Sequence, residues 1–173
     1  MLGIKRMNVL IADDDILIIK LYRVALESRG HTVTSTYNGR ECVDVFKQEL
    51  ARVGPDADPF DVVVMDHRMP KMDGVKAAGV IIELRPNQRI IFITACARET
   101  LKASVQEIGQ VVSILEKPFE PILLAKVIED IFTFKDLAEI NKLLKVMYHN
   151  TCSEVQITQL HSLLKTIQKI GLS

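Results

Sequence analysis

Three aspartates in a row, Asp13-Asp14-Asp15, follow the apolar run Val9–Ala12, and a single aspartate, Asp66, follows the apolar run Val62–Met65. Thr94 closes a third run, Ile90–Thr94, and Lys117 stands just beyond a fourth, Val111–Leu115, after Glu116. Carboxylates packed within a few ångströms repel and raise one another's pKa unless a cation sits among them. Oxygen-only donors favour a hard ion, and Mg2+ suits a site of two carboxylates, a carbonyl and waters. With that repulsion relieved, Asp66 stays ionised and can act as a nucleophile, and attack on phosphorus gives an acyl phosphate. The Lys117 ammonium and the Thr94 hydroxyl then serve the phosphoryl oxygens. Taken singly, an Asp run after a strand is a turn or a cap, and a strand-end Thr is a helix cap. Their joint placement at the ends of four apolar runs is what points to chemistry.

Those runs define the scaffold. Val9–Ala12, Val62–Met65, Ile90–Thr94 and Val111–Leu115 lack strict alternation, as strands buried on both faces do. His31–Thr36 is β-branched and more polar, which suits an edge strand. Helical patterns lie between. Ile16–Arg29 sets Leu17, Leu21, Val24 and Ala25 on one stripe and stops at Gly30; Arg40–Leu50, Gly74–Leu84 and Thr100–Ile108 follow, and a last helix starts at Pro121. Ala51–Phe60 reads as an irregular loop. Strand–helix repeated five times predicts an α/β fold, a doubly wound five-stranded parallel sheet closing near Thr133. In such a sheet ligands bind beyond the carboxyl ends of the strands, where Asp13, Asp14, Asp66, Thr94 and Lys117 would share one rim.

Residues 134–173 read as a helical hairpin, Phe134–Tyr148 and Glu154–Ile170. Ser153-x-x-Gln156 fits a capping box, and Ile157, Leu160, Leu164 and Ile167 form an apolar seam. The expected division is therefore 5–133 for the α/β domain and 134–173 for the extension. Too few residues and too little charge remain for a helix-turn-helix output, which needs a recognition helix on a supporting bundle. The hairpin could cap its own domain, pair two copies as a homodimer, or dock another protein.

Composition narrows the classes. The chain has 173 residues, 48% apolar, with 22 basic and 22 acidic side chains. High apolar content at zero net charge excludes disorder as the main state and leaves no surplus charge to steer the whole chain to a polyanion. Cys42, Cys96 and Cys152 are scattered, neither a disulfide framework nor a zinc site, so a cytoplasmic setting is expected. The first apolar run is too short for a signal peptide, and no run reaches membrane-spanning length. The histidines, 31, 67, 149 and 161, show no ligand spacing, and His67 reads as surface filler.

The motifs VLIADDD (Val9–Asp15), VVVMDHRMPKMDG (Val62–Gly74), FITA (Phe92–Ala95) and EKPF (Glu116–Phe119) resemble, in order and spacing, the receiver domain of two-component response regulators, from about Lys5 to Thr133. The resemblance implies a flavodoxin-like sheet of order 2-1-3-4-5. It implies that Asp66 is the phosphoacceptor and that Asp13, Asp14, Asp66 and the backbone carbonyl of Arg68 hold Mg2+. It further implies that Thr94 and Lys117 bind the phosphoryl group, that Lys117-Pro118 is cis, and that Asp15 caps the first helix. The donor would be a histidine kinase or phosphotransfer protein and the output a change of protein partner, with no direct DNA binding, no membrane contact and no turnover of an external substrate. Two positions depart from the family pattern. Ile114 stands where many receivers carry an aromatic, and Arg68 and Cys96 border the approach of water, so a shielding Arg68 predicts a long-lived phosphoryl state.

Two other readings compete. A haloacid-dehalogenase-type phosphatase would use Asp13 as nucleophile and Asp15 as the second acid, leaving the Asp66 motif unexplained. A degenerate receiver would serve only as an interaction module.

Overall fold

Runs of Val and Ile become strands here because helices cover them on both sides. The computed structural model describes residues 5–54, 57–95 and 113–130. In chain order these form β1 (Asn8–Ala12), α1 (Ile16–Glu27), β2 (Thr32–Thr36), α2 (Gly39–Val53), β3 (Val62–Asp66), α3 (Gly74–Leu84), β4 (Ile90–Thr94), β5 (Ser113–Glu116) and α4 (Pro121–Glu129). The sheet is parallel throughout, in the order β2-β1-β3-β4-β5. This is the doubly wound, flavodoxin-like α/β fold that the resemblance implies. Every residue of β3 and β4 is buried, as expected of central strands sandwiched between helix layers.

Side-chain alternation sorts the core. Leu10, Ala12, Val63, Met65, Ile90 and Phe92 join Cys42, Val43 and Phe46 of α2 and Ala77, Ala78 and Ile81 of α3 in one cluster. The intervening residues Val9, Ile11, Val62, Val64, Ile91 and Ile93 are as deeply buried and point to the opposite face by the two-residue period of a strand. α1 and α4 pack together, as do α2 and α3.

Helix starts follow local chemistry. The Asp15 carboxylate accepts from the N–H groups of Leu17 and Ile18, so Asp15 is the cap of α1. Asn38 accepts from Glu41 N–H, while Glu41 in turn accepts from Tyr37 N–H and the Asn38 amide. Asp73 caps α3.

Four expectations need correction or adjustment. The stripe Leu17, Leu21, Val24 faces solvent, and α1 buries Ile19, Tyr22 and Leu26 instead. The segment ILIIKLYRVALE is apolar almost all round, so periodicity offers two faces and the sheet selects the one with the larger side chains. α2 continues through Ala51, Arg52 and Val53, into the expected loop. No breaker precedes Gly54, which ends the helix at φ 88° with its N–H on Leu50 O. α1 ends at Glu27, short of Arg29, because a turn closed by Gly30 N–H on Glu27 O takes over. β5 runs to Glu116, one residue further than expected.

The chain divides into two units, Met1–Glu129 and Asp130–Ser173. The expected helix at 100–108, the start of the fifth strand at 111–112, Cys96, and the hairpin over 134–173 lie outside the described residues. Among the described residues no helix is long and apolar enough to cross a membrane.

Candidate functional site

The carboxyl ends of β1, β3, β4 and β5 form one rim. β1 and β3 are adjacent, so Asp13 and Asp66 leave neighbouring strands side by side. β5 lies across β4, and the loop after it returns Lys117 to that pair. Its Nζ donates to Asp13 Oδ2 at 2.9 Å and to Asp66 Oδ1 at 2.7 Å. The remaining oxygens are also engaged: Asp13 Oδ1 accepts from Asp15 N–H at 3.0 Å, and Asp66 Oδ2 from Arg68 N–H at 2.7 Å. Both carboxylates are buried, at 2% and 8% exposure. Thr94 is buried at the end of β4, and its carbonyl accepts from Lys117 N–H at 2.7 Å. The Lys117-Pro118 bond is cis.

Backbone packing fixes Asp66. Gly74 N–H donates to His67 O, and a Cβ at Gly74 would lie 2.2 Å from the carbonyl oxygen of Asp66. Only glycine lets the start of α3 close on the Asp66 backbone. His67 N–H in turn donates to Ile93 O at 3.0 Å.

Burial and pairing set the charges. Burial pushes the Asp13 carboxyl up, against the opposing pull of Asp15 N–H and Lys117. Burial also works against the Lys117 ammonium, but hydrogen bonds and charge from Asp66 and Asp13 outweigh it and raise its pKa. Lys117 therefore stays protonated. Two carboxylates against one ammonium leave the rim net negative, before the exposed Asp14 is counted.

That donor set fits a hard divalent ion. It offers two carboxylates from adjacent strands at a solvent-reachable rim, and Mg2+ commonly takes one or two carboxylates and keeps several waters. Among the described residues, no third Asp, Glu, His or Cys joins Asp13 and Asp66 closely enough to form a three-side-chain cluster. Asp14 lies exposed on the adjoining turn, and the Arg68 side chain is exposed while its amide holds Asp66. Asp15 is apart from the rim chemistry, its carboxylate occupied as the α1 cap.

Some features escaped the sequence reading. Tyr22 of α1 is buried and stacks on Phe119, with ring centroids 5.6 Å apart and planes 6° from parallel. Its phenol is pushed up to about 12 by burial, in the field of Lys117, Asp13 and Asp66. A lone aromatic in an aliphatic helix was the available signal. His67, read as surface filler, is half-buried, and its Nδ1 has no hydrogen-bond partner among the described residues. His31 is buried and meets Glu129 Oε1 at 3.1 Å, where Arg29 also forks onto the same carboxylate. Cys42 is buried with its thiol pushed up to about 12, an unreactive core residue.

The site is a buried carboxylate pair bridged by a lysine at the carboxyl edge of an open parallel α/β sheet. Residues 9–129 match the response regulator receiver domain, and the chain belongs to that family, whose setting is two-component signalling. It is 30% identical over 129 residues to the two-component response regulator ARR22 of Arabidopsis thaliana, covering 74% of this chain and 85% of that one. It is 31% identical over 112 residues to the response regulator receiver protein CpdR of Brucella abortus, covering 65% and 85%. Among solved structures it is similar to the CheX–CheY–BeF3–Mg2+ complex from Borrelia burgdorferi, with a TM-score of 0.62 at 28% identity over 72% of this chain and 88% of that one.

Proposed function

We propose that this receiver accepts a phosphoryl group on Asp66 from a phosphohistidine of a histidine kinase or phosphotransfer protein, and that the acyl phosphate changes its protein contacts. The observation that carries this reading is the Lys117 Nζ bridge, 2.7 Å from Asp66 and 2.9 Å from Asp13. It sets a permanent cation where phosphoryl charge would develop. An Asp66 oxygen attacks phosphorus, the new O–P bond forms as the N–P bond breaks, and the imidazole keeps the electron pair. Arg68 N–H orients the carboxylate, Lys117 offsets charge on the phosphoryl oxygens, and the Thr94 hydroxyl donates to them. Asp13, Asp14, Asp66 and the Arg68 carbonyl would hold Mg2+, which when bound supplies further positive charge to the transferring group.

Water attack on the same phosphorus restores the carboxylate, so the domain catalyses its own phosphorylation and hydrolysis and turns over no external substrate. Leu17, Leu21 and Val24, exposed on the helix that leaves the Asp13 turn, suit a donor that is a protein. The output is read as a protein contact because the relatives ARR22 and CpdR are each matched over 85% of their own length, which leaves little of them for a separate output module.

The phosphatase alternative loses support from Asp15, whose carboxylate is spent on the N-terminus of α1. Incubation with Mg2+ and acetyl phosphate, followed by peptide mapping, tests the assignment. Label on Asp66 that disappears in Asp66→Asn is the expected result; label on Asp13 overturns it.

A further inference from the structure

We infer that Tyr22, through its stack on Phe119, is a positioning residue for Lys117. The inference rests on the phosphoacceptor reading and adds to it a residue on α1 that the family motifs do not include.

Several contacts hold the lysine. Its ammonium must reach two carboxylates on neighbouring strands, although it comes from β5, which is separated from β3 by β4. Two anchors fix its segment on one side: β5 itself and the Lys117 N–H bond to Thr94 O. Beyond Lys117 the chain runs through Pro118 and Phe119 before α4 begins at Pro121. Neither Glu120 nor Pro118 is buried. Phe119 is therefore the side chain that ties this short segment to the rest of the domain, and its partner is Tyr22.

Tyr22 is suited to that task. It is 3% exposed, sits on the inward face of α1 between Ile19 and Leu26, and its ring lies nearly parallel to that of Phe119. Offset stacking at this separation is a directional contact, unlike general apolar burial. Phe119 stands two residues beyond Lys117, so the stack adjoins the segment that delivers the ammonium. By strand alternation Asp13 and Asp66 share the α1 side of the sheet with Ile11 and Val64, the side to which Tyr22 belongs. Loss of the stack would free the Phe119 end of the segment and let the ammonium sample positions away from Asp66.

The test separates positioning from general stability. Tyr22→Phe keeps the ring, Tyr22→Leu keeps apolar bulk without the stack, and Phe119→Leu removes the other half from a less buried site. Wild type, each variant, Lys117→Met and the Tyr22→Leu/Lys117→Met double variant are compared. Three readouts are used: Mg2+ affinity, beryllofluoride affinity at saturating Mg2+, and hydrogen-exchange protection of the Lys117 amide in metal-free protein. Tyr22→Phe should match wild type. Tyr22→Leu and Phe119→Leu should each weaken beryllofluoride binding about five-fold, the scale of one aromatic pair, and lower protection of the Lys117 amide, with Mg2+ affinity unchanged. In the Lys117→Met background Tyr22→Leu should have no further effect on beryllofluoride.

Retention of beryllofluoride affinity and amide protection within two-fold in Phe119→Leu overturns the inference. An equal loss with and without Lys117 overturns it too. Should Tyr22→Leu fail to fold, Phe119→Leu decides alone. Failure of wild type to bind beryllofluoride counts against the phosphoacceptor reading itself, a result distinct from an unaffected Phe119→Leu.

Discussion

Lys117 Nζ lies 2.7 Å from Asp66 Oδ1 and is the cation through which Asp66 and Asp13 share one rim. Removing it should separate two functions that the rim combines. Lys117→Met leaves the oxygen donors in place but deletes the ammonium that would face the phosphoryl group. Phosphorylation by acetyl phosphate should fall about 100-fold or more, the usual cost of one lost charge-stabilising donor. Mg2+ affinity should hold or rise, because a competing cation has gone. Rates by mass spectrometry and a Mg2+ titration followed by tyrosine emission check both halves.

Asp13 should cost stability for the sake of its charge. Burial raises its carboxyl pKa in the folded state above the ordinary 3.8. A group raised on folding favours the folded state while protonated, at and below its unfolded pKa, and that contribution is lost as pH rises through the folded value. At neutral pH in metal-free protein, Asp13→Asn should therefore melt higher than wild type, by about 2–4 °C. The gap should close as pH falls below the ordinary carboxylate range. Mg2+ binding should weaken in the same variant, a trade of stability against function at one side chain.

The Glu129 carboxylate ties α4 to the turn before β2 and behaves in the opposite sense. Hydrogen bonding to Arg29 first, then to His31, holds its pKa below the ordinary 4.5. Its contribution is present above that value and is lost as pH falls through the folded one. Glu129→Ala strands the buried His31 imidazole without its acceptor, at a cost of about 1–3 kcal/mol. Thermal melts at pH 7 should show the loss, and the gap from wild type should narrow as pH falls below the ordinary carboxylate range and through the folded-state value.

These predictions draw unequally on what the sequence made legible. Asp13, Asp66, Thr94 and Lys117 end apolar runs, and a parallel sheet puts all such ends on one edge, so their common rim followed from pattern alone. Asp15 as the α1 cap followed from its place just before the helix. The buried face of α1 did not follow, because Leu17, Leu21 and Val24 repeat as regularly as Ile19, Tyr22 and Leu26, and only the sheet distinguishes them. The reach of α2 to Val53 was legible in principle, since no breaker precedes Gly54, but the Gly54-Pro55 loop signal was extended back over Ala51–Val53. The Tyr22–Phe119 stack and the Arg29–Glu129–His31 contact join residues about 100 apart in sequence, and no local period encodes such a pairing.

Gly74 is a steric requirement of the turn that carries Asp66. An added methyl would stand 2.2 Å from the Asp66 carbonyl oxygen, and neither partner is a flexible side-chain end. Gly74→Ala should shift the turn between β3 and α3 and destabilise the domain by about 1–3 kcal/mol, the range for overpacking a tight site. It should also slow phosphorylation of Asp66 more than Gly79→Ala, a control glycine on the same helix with nothing within 4 Å of its added Cβ.

Arg68 holds Asp66 through its backbone, so its side chain can be changed without touching that bond. The 2.7 Å bond to Asp66 Oδ2 comes from the Arg68 amide, which alanine retains, so Arg68→Ala changes the guanidinium without altering the acceptor's orientation. Arg68 is exposed two residues beyond Asp66, within the span of a long side chain from a phosphoryl group there. A guanidinium pairing with phosphoryl oxygens would shield them and slow hydrolysis. Because the pair is exposed, its worth is modest, and Arg68→Ala should speed dephosphorylation about five-fold, with Arg68→Lys in between. The decay of phosphorylated protein after removal of acetyl phosphate measures this directly. An unchanged rate in Arg68→Ala would show that the side chain gives no shield, and the expected long phosphoryl lifetime would then lose its physical basis.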